Sequence, residues 1–395
     1  MYVNARSSEP DRCGNTRHRL HTTSTDGGAT FAAPFTHVDG LDTSHTYGSL
    51  LRLTAKDRGD ADNRLLYSGP ARLGPNPLED RRELAIRSSV DEGRTWQTVG
   101  TVVSAGRTGY SDLALVTKDR IGVLYETADK IPHGNLAFKS FTTGAMDAAR
   151  TELRRPRILD ESPAKGNDAL VEGGAVIGSR GSGKAIELDG QDDYLRVVSC
   201  AENLRVKNDD FTVTAWFRHT DVTGPRPVIW AYGMPDPTKP NVRVPQFSVV
   251  AEPGATGSKG LLKGRIETTD GIAEVTADSA YADGKWHHVA FQRTAGKLVL
   301  LVDGGPQLPG GAEFTAPHAL VGHASPTGQF TIHIGARPDF PNQSAGVNQL
   351  FRGGLDDVRL FGKALTEAQV RDIKAGTLDV AGDLQHLRLG FTEFK

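Results

Sequence analysis

Cysteine, long apolar runs and charge imbalance are all scarce in this chain. Its two cysteines, Cys13 and Cys200, lie far apart and fit no metal-ligand spacing. They read as free thiols or as unrelated to each other. No apolar run reaches the length that crosses a bilayer, so membrane insertion is not expected. The 46 basic and 48 acidic residues leave a formal net charge of -2, which supplies neither a nucleic-acid footprint nor an electrostatic membrane footprint. The opening Met1-Tyr-Val-Asn-Ala-Arg6 has no basic segment followed by an apolar one, so it does not read as a signal peptide. Tyr2-Val3-Asn4 reads as the middle of a strand. What the chain does hold is glycine (45) and proline (21), with runs of Val, Thr, Leu and Phe between turn residues. That favours an all-β protein, and 395 residues suffice for two or three domains.

Along residues 1–150 the pattern is of short strands: Ser49–Leu53, Arg64–Tyr67, Glu83–Arg87, Gly100–Val103, Leu113–Val116, Ile121–Tyr125 and Leu136–Phe141. Residues 151–180 are polar and irregular and read as a linker or crossover. A second β pattern fills 181–376, and 377–395 is a tail of undetermined structure. The best helix candidate is Leu365–Ile373, with Thr366 as N-cap and Val370 and Ile373 at helical spacing.

Two copies of one turn stand out: Ser24-Thr-Asp26-Gly-Gly28-Ala-Thr30-Phe31 and Ser89-Val-Asp91-Glu-Gly93-Arg-Thr95-Trp96. In each, the Asp carboxylate folds onto nearby backbone amides, Gly takes the positive-φ position, and the aromatic is expected to pack beneath the hairpin. The pattern resembles the Asp box of sialidase-like β-propellers, and its repetition implies repeated blades.

Three more segments resemble the C-terminal half of an exo-α-sialidase (neuraminidase) propeller. Tyr2-Val-Asn4-Ala-Arg6-Ser7 resembles the strand bearing the second arginine of the family's triad. Arg81-Arg82-Glu-Leu84 resembles the strand bearing the third, and the Arg-x-x-Leu spacing selects Arg81 over Arg82. Gly109-Tyr110-Ser111-Asp112 resembles the segment of the tyrosine nucleophile. Val123-Leu-Tyr125-Glu126 resembles the next strand, whose Glu braces the first arginine.

The chemistry accounts for these residue types. Sialic acid carries a carboxylate on its anomeric carbon, and a guanidinium grips a carboxylate bidentately while remaining charged. An anionic nucleophile would meet that carboxylate with a repulsion of about 1 kcal/mol in water and about 4 kcal/mol at an effective dielectric of 20. A neutral tyrosine avoids it, in departure from the usual pair of carboxylates. Ionising a phenol at pH 7 costs about 4 kcal/mol, which the family offsets with a glutamate base and an aspartate acid.

The resemblance is incomplete. A six-bladed ring needs six four-stranded sheets of roughly 40–50 residues each, and about 145 residues supply half of that. The first triad arginine, the acid Asp and the base Glu find no counterpart, since Glu9, Asp11 and Glu83 fall on other segments. The chain is therefore expected to be a piece of a longer secreted sialidase with little turnover of its own.

The second pattern resembles a laminin-G-like, concanavalin A-type jelly roll. Its marks are Ala185-Ile-Glu-Leu-Asp189-Gly190-Gln-Asp192-Asp193-Tyr194, Phe211–Arg218, Gly284-Lys-Trp286-His287-His288, Lys297–Gly304 and Phe351–Leu360. Phe211–Trp216 and Leu298–Val302 read as sandwich strands, Asp303-Gly304 as a hairpin turn and the tryptophans as core. Asp192, Asp193, Asp356 and Asp357 are candidate calcium ligands, with turn and capping roles as the alternative. No cofactor is expected for catalysis. A glucanase is disfavoured, because 180–376 lacks two carboxylates alternating on one strand.

The expected architecture is thus all-β, a partial six-bladed sialidase β-propeller plus a concanavalin A-like jelly-roll β-sandwich. The expected function is retaining hydrolysis of α-linked sialic acids, with sialylated glycans or glycoproteins as partners. The alternative is a non-catalytic glycan- or protein-binding module.

Overall fold

β-Strands make up most of the chain, as turn-punctuated runs of branched and aromatic residues require. The computed structural model describes residues 1–6, 18–43, 46–73, 81–128, 134–153, 156–163, 167–197, 204, 206, 209–233, 246–253, 261–268, 271–306, 312–313, 330–338, 347–377 and 385–392. Cys13, Cys200, Ser7, Glu9 and Asp11 lie outside these residues. The chain divides near residue 154 into two units.

In the first unit, β1 (Tyr2–Arg6), β2 (His18–Thr23) and β3 (Thr36–Asp42) form a three-stranded antiparallel sheet. A meander follows: β4 (Ser49–Thr54), β5 (Arg64–Leu73), β6 (Arg81–Ser89), β7 (Val99–Thr117), β8 (Arg120–Ala128) and β9 (Asn135–Thr142). A short helix, α1 (Thr143–Ala148), is capped by the Thr142 side chain and leads into β10 (Arg150–Glu152), which returns to pair with the start of β7.

The expected strands Gly100–Val103 and Leu113–Val116 are one strand. The first part of β7 pairs with β6 and the later part with β8. Leu66, Leu84, Ile86, Val103, Ile121 and Val123 are buried in one core. Val38, Leu41, Leu65, Tyr67 and Trp96 form a second, shared between the two sheets.

Both Asp boxes close through the same bonds. Ser24 Oγ donates to Asp26 Oδ1 (2.7 Å), while the Thr30 amide and hydroxyl donate to the two Asp26 oxygens at 3.0 and 2.6 Å. In the second box the equivalent distances from Ser89 and Thr95 to Asp91 are 2.8, 2.9 and 2.6 Å. Gly28 and Gly93 sit at φ 100° and 80°, and each donates its amide to the box serine.

The aromatics differ. Trp96 is buried edge-on against Tyr67 at 6.0 Å, whereas Phe31 is 52% exposed and meets only Phe35, at 5.3 Å, among the ring contacts of the described residues. The expected packing beneath the hairpin therefore applies to Trp96 alone. The second core supplies neighbours for Trp96 and contains no residue next to Phe31.

The second unit is a sandwich of two antiparallel sheets. One runs 157–158, 169–172, 194–197, 330–334, 226–233, 246–252, 261–268, 271–280. The other runs 176–180, 183–189, 352–361, 211–218, 287–294, 297–302, 305–306, with 312–313 and 385–389 as further edge pairings. Alternate residues of both sheets, among them Phe211, Phe217, Phe247, Ile266, Phe291 and Leu355, bury a common core, as the period of two demands. The sheets approach so closely at Gly264 that a Cβ there would lie 2.2 Å from the Phe291 ring.

Residues expected as linker carry strands instead. Arg157–Ile158, Ala169–Glu172 and Val176–Arg180 all pair within the sandwich. The irregular turn between the first two is organised by the buried Asp160 carboxylate, which accepts the amides of Ser162, Asn167 and Arg388. The tail returns as strand Gln385–Leu389, with Leu387, Leu389 and Phe391 buried. The helix is as expected: α2 (Glu367–Ala375) has a capping box between Thr366 and Gln369 and buries Val370 and Ile373. Asp303 and Gly304, at φ 55° and 85°, make the expected hairpin turn.

Candidate functional site

A bulge in β7 places Tyr110. Thr108 pairs with Thr127 and Ser111 with Tyr125, so Gly109 and Tyr110 together face Glu126. Such a two-against-one step bends the strand and re-aims a side chain. The Glu126 carboxylate accepts the Tyr110 backbone amide at 2.9 Å. The flanks are pinned by Thr108 Oγ1, which donates to the Glu126 carbonyl (3.0 Å), and by Thr127 Oγ1, which donates to the Arg107 carbonyl (3.1 Å). Glu126, expected to brace an arginine, thus holds the backbone of the tyrosine beside it. The Tyr110 ring is 37% exposed.

Of the two arginines, one reaches this tyrosine directly and the other through a second tyrosine. Arg81, at the start of β6, lies with its Cζ 5.7 Å from the Tyr110 ring centroid. Just beyond it β6 is irregular, with Glu83 at φ 55°, a conformation that costs a non-glycine residue on the order of 1 kcal/mol. Arg6, at the end of β1, lies with its Cζ 4.5 Å from the ring of Tyr47. Tyr47 in turn meets Tyr110 edge-on, with centroids 4.9 Å apart and planes at 75°. All four residues therefore stand in one row, Arg6–Tyr47–Tyr110–Arg81, with both cations within cation–π range of an aromatic face.

Tyr47 and its support are what the sequence reading missed. The Arg19 guanidinium donates to the Thr46 carbonyl (3.0 Å) and to Asn4 Oδ1 (2.6 Å), and Arg81 Nη1 donates to Thr46 Oγ1 (3.4 Å). Gly48 lets the loop pass, since a Cβ there would lie 2.2 Å from the Tyr67 hydroxyl. An aromatic followed by glycine just ahead of a strand was the available signal. Downstream, the Ser49 hydroxyl donates to Asp112 (2.7 Å), and Ser68 and Ser111 share a bond of 2.8 Å, tying β7 to β4 and β5. The row links two guanidinium groups and a phenol carried by the unit's two sheets, residue types that could bind an anion beside a nucleophile.

The four candidate calcium ligands of the jelly roll are not gathered at one point. Asp192 and Asp193 cluster with Asp189. Both Asp193 oxygens are already held by backbone amides, from Gly174 (2.5 Å) and Asp189 (3.0 Å). Burial raises the Asp193 pKa, which weakens it as a ligand. These contacts are those of a turn cap, and the three carboxylates supply fewer side-chain ligands than the six to eight oxygens a calcium takes. Asp356 and Asp357 are occupied elsewhere. Asp356 pairs with Arg180 at 2.6 Å, and Asp357 accepts Arg359 bidentately at 2.8 and 2.7 Å. They part because Asp357 sits at φ 46° in a bulge opposite Ala215. Trp216 and Trp230 are buried, but outside the sandwich core cluster and each under an arginine, while Trp286 is half-buried under Arg218.

Residues 189–371 match the family model described as the concanavalin A-like lectin/glucanases superfamily. This segment is a concanavalin A-like jelly roll. No curated protein matches the chain by sequence. Among solved structures, the chain is similar to domain 4 of AbnA, an extracellular GH43 arabinanase from Geobacillus stearothermophilus, in complex with arabinotriose. The identity is 15% and the TM-score 0.38, over 56% of this chain and 99% of that one. It is also similar to Trypanosoma rangeli sialidase bound to 2,3-difluorosialic acid, at 13% identity and a TM-score of 0.35, over 90% of this chain. The chain spans 58% of the length of that sialidase. A heptameric pentraxin of Limulus polyphemus is similar at 13% identity and a TM-score of 0.34, over 62% of this chain and 93% of that one.

Proposed function

We propose that the first unit is the carboxylate-gripping, nucleophile-bearing part of an exo-α-sialidase-type glycoside hydrolase site. Arg6 and Arg81 bind the carboxylate of a terminal α-linked sialic acid, and Tyr110 is the residue that attacks the anomeric carbon. Glu126 acts one step removed by fixing the bulge that aims Tyr110. The observation that carries this reading is the row Arg6–Tyr47–Tyr110–Arg81, in which one guanidinium lies against the Tyr110 ring and a second reaches it through Tyr47. Only an anionic ligand uses both charges, and a phenol is the nucleophile suited to a substrate that brings its own negative charge. No residue of this sequence is assigned as general acid or base, so the row accounts for binding and attack, not for leaving-group protonation.

Saturation-transfer NMR with N-acetylneuraminic acid tests this. Transfer is expected with the 395-residue protein, falling in Arg81→Ala and in Arg6→Ala and weakening with salt. Absence of transfer, or transfer that neither variant changes, overturns the reading.

A further inference from the structure

The jelly roll holds a polar cavity of about 220 Å³ on the face of its first sheet that points away from the core. Trp230, Ser248, Lys263 and Arg265 line it, each next in sequence to core residues such as Ile229, Phe247, Leu262 and Ile266, as strand alternation requires. Above this floor stands a short hairpin, residues 337–338 paired with 347–348. It contributes Arg337 and Gln349 to the wall.

Three features set the cavity apart from an ordinary charged surface. Arg337 lies with its Cζ 4.9 Å from the Trp230 ring centroid, so its planar fork is held in place before any ligand arrives. Among the described residues no carboxylate forms an ion pair with Arg337, whereas Arg265 pairs with Glu267 (2.7 Å) and Glu274 (3.4 Å), and Lys263 with Glu274 (3.5 Å). Gln349 adopts φ 50°, a strained backbone of the kind that persists at ligand clamps. The remaining wall sets donors beside acceptors: Lys263 lies 3.9 Å from Glu252. A hydroxyl donates one bond and accepts others, so a vicinal diol can satisfy both partners of such a pair at once.

We propose that this cavity binds an acidic sugar residue, a polyhydroxylated ring bearing a carboxylate, with Arg337 receiving the carboxylate and Glu252, Lys263, Ser248 and Gln349 reading the hydroxyls. The proposal is independent of the Arg6–Tyr47–Tyr110–Arg81 site, because it concerns the other unit and a different arginine. A uronate meets its requirements without presenting the features of a sialoside, so glucuronic acid is the discriminating probe.

The experiment titrates the 395-residue protein with glucuronic acid, its methyl ester, N-acetylneuraminic acid and galactose, followed by saturation-transfer NMR and calorimetry. Glucuronate is expected to bind. Its methyl ester, which lacks the charge, is expected to bind about tenfold more weakly or worse, as is glucuronate to Arg337→Ala, since hydrogen bonds to a charged group are of that strength. The ester comparison uses the unaltered protein and so holds even if the Arg337→Ala variant misfolds. The proposal is overturned if glucuronate does not bind, if its ester or galactose binds equally well, or if folded Arg337→Ala binds glucuronate as before.

Discussion

Tyr47 meets Tyr110 edge-to-face, with ring centroids 4.9 Å apart, while the opposite neighbour of Tyr47 is the Arg6 guanidinium at 4.5 Å. One loop residue therefore stands between the proposed carboxylate-binding Arg6 and the proposed nucleophile Tyr110. Tyr47 is 55% exposed, so it adds little to the core. An aromatic pair contributes about 0.5–1.5 kcal/mol beyond its area. Tyr47→Ala is expected to weaken N-acetylneuraminate binding several-fold while leaving the melting temperature almost unchanged. Calorimetric Kd and thermal melts of the variant check both halves.

The two Asp boxes provide an internal control on what a turn contributes. Asp91 and Asp26 receive the same bonds, and in both cases hydrogen bonds from the box Thr and Ser hold the carboxyl below the usual carboxylate range. At Asp91 those bonds outweigh the opposing effect of burial. Only the second box also anchors a buried aromatic. Asp91→Ala is expected to cost about 1–3 kcal/mol, and Asp26→Ala distinctly less. Urea midpoints of the two variants, compared in the same buffer, measure the difference.

Acid should destabilise the jelly roll through His288. Its ring is fully buried against Trp216 at 5.3 Å, neither nitrogen has a hydrogen-bond partner among the described residues, and burial pushes its pKa down to about 4. The charged groups around it are Asp357, Arg359, Lys374 and Asp303. The unfolded chain takes up this proton from about pH 6.5 downward, the folded one only near pH 4. Stability is thus lost as pH falls through that window, by about 3 kcal/mol at its acid end. Asp356 acts with the opposite sign, because burial raises it to about 6. Stability from that group is lost as pH rises from about 4 to 6. Thermal melts from pH 7 to 4 should therefore show a shallower acid decline in His288→Phe than in the unaltered protein.

Local chemistry was legible in the sequence wherever it closes within a few residues. Asp26 and Asp91 bind the amides that their turn pattern demands, and Thr366 caps the helix it precedes. What depends on distant neighbours was not legible. Phe31 and Trp96 occupy the same pattern position, yet only one finds a core to enter. Asp356 and Asp357 are adjacent, yet a bulge sends them to different arginines. The middle of β7, polar and glycine-containing around Ser104–Ser111, reads as a break but is strand throughout. In the candidate site, Arg6, Arg81, Tyr110 and Glu126 were named from their strands, whereas Tyr47 sits on a loop whose path is fixed by Gly48 and by Arg19, neither of which forms a motif.

The length of β7 has a mechanical consequence. The strand that pairs with β6, where Arg81 begins, is the same strand that carries Tyr110 at its bulge. The spacing of guanidinium and phenol is therefore held by a continuous backbone and its ladder rather than by the meeting of two independent loops. Surface loops can lengthen or shorten around such a spine without altering the gauge between the two groups. A residue inserted into the 101–107 stretch, far from any ligand, would shift that gauge directly.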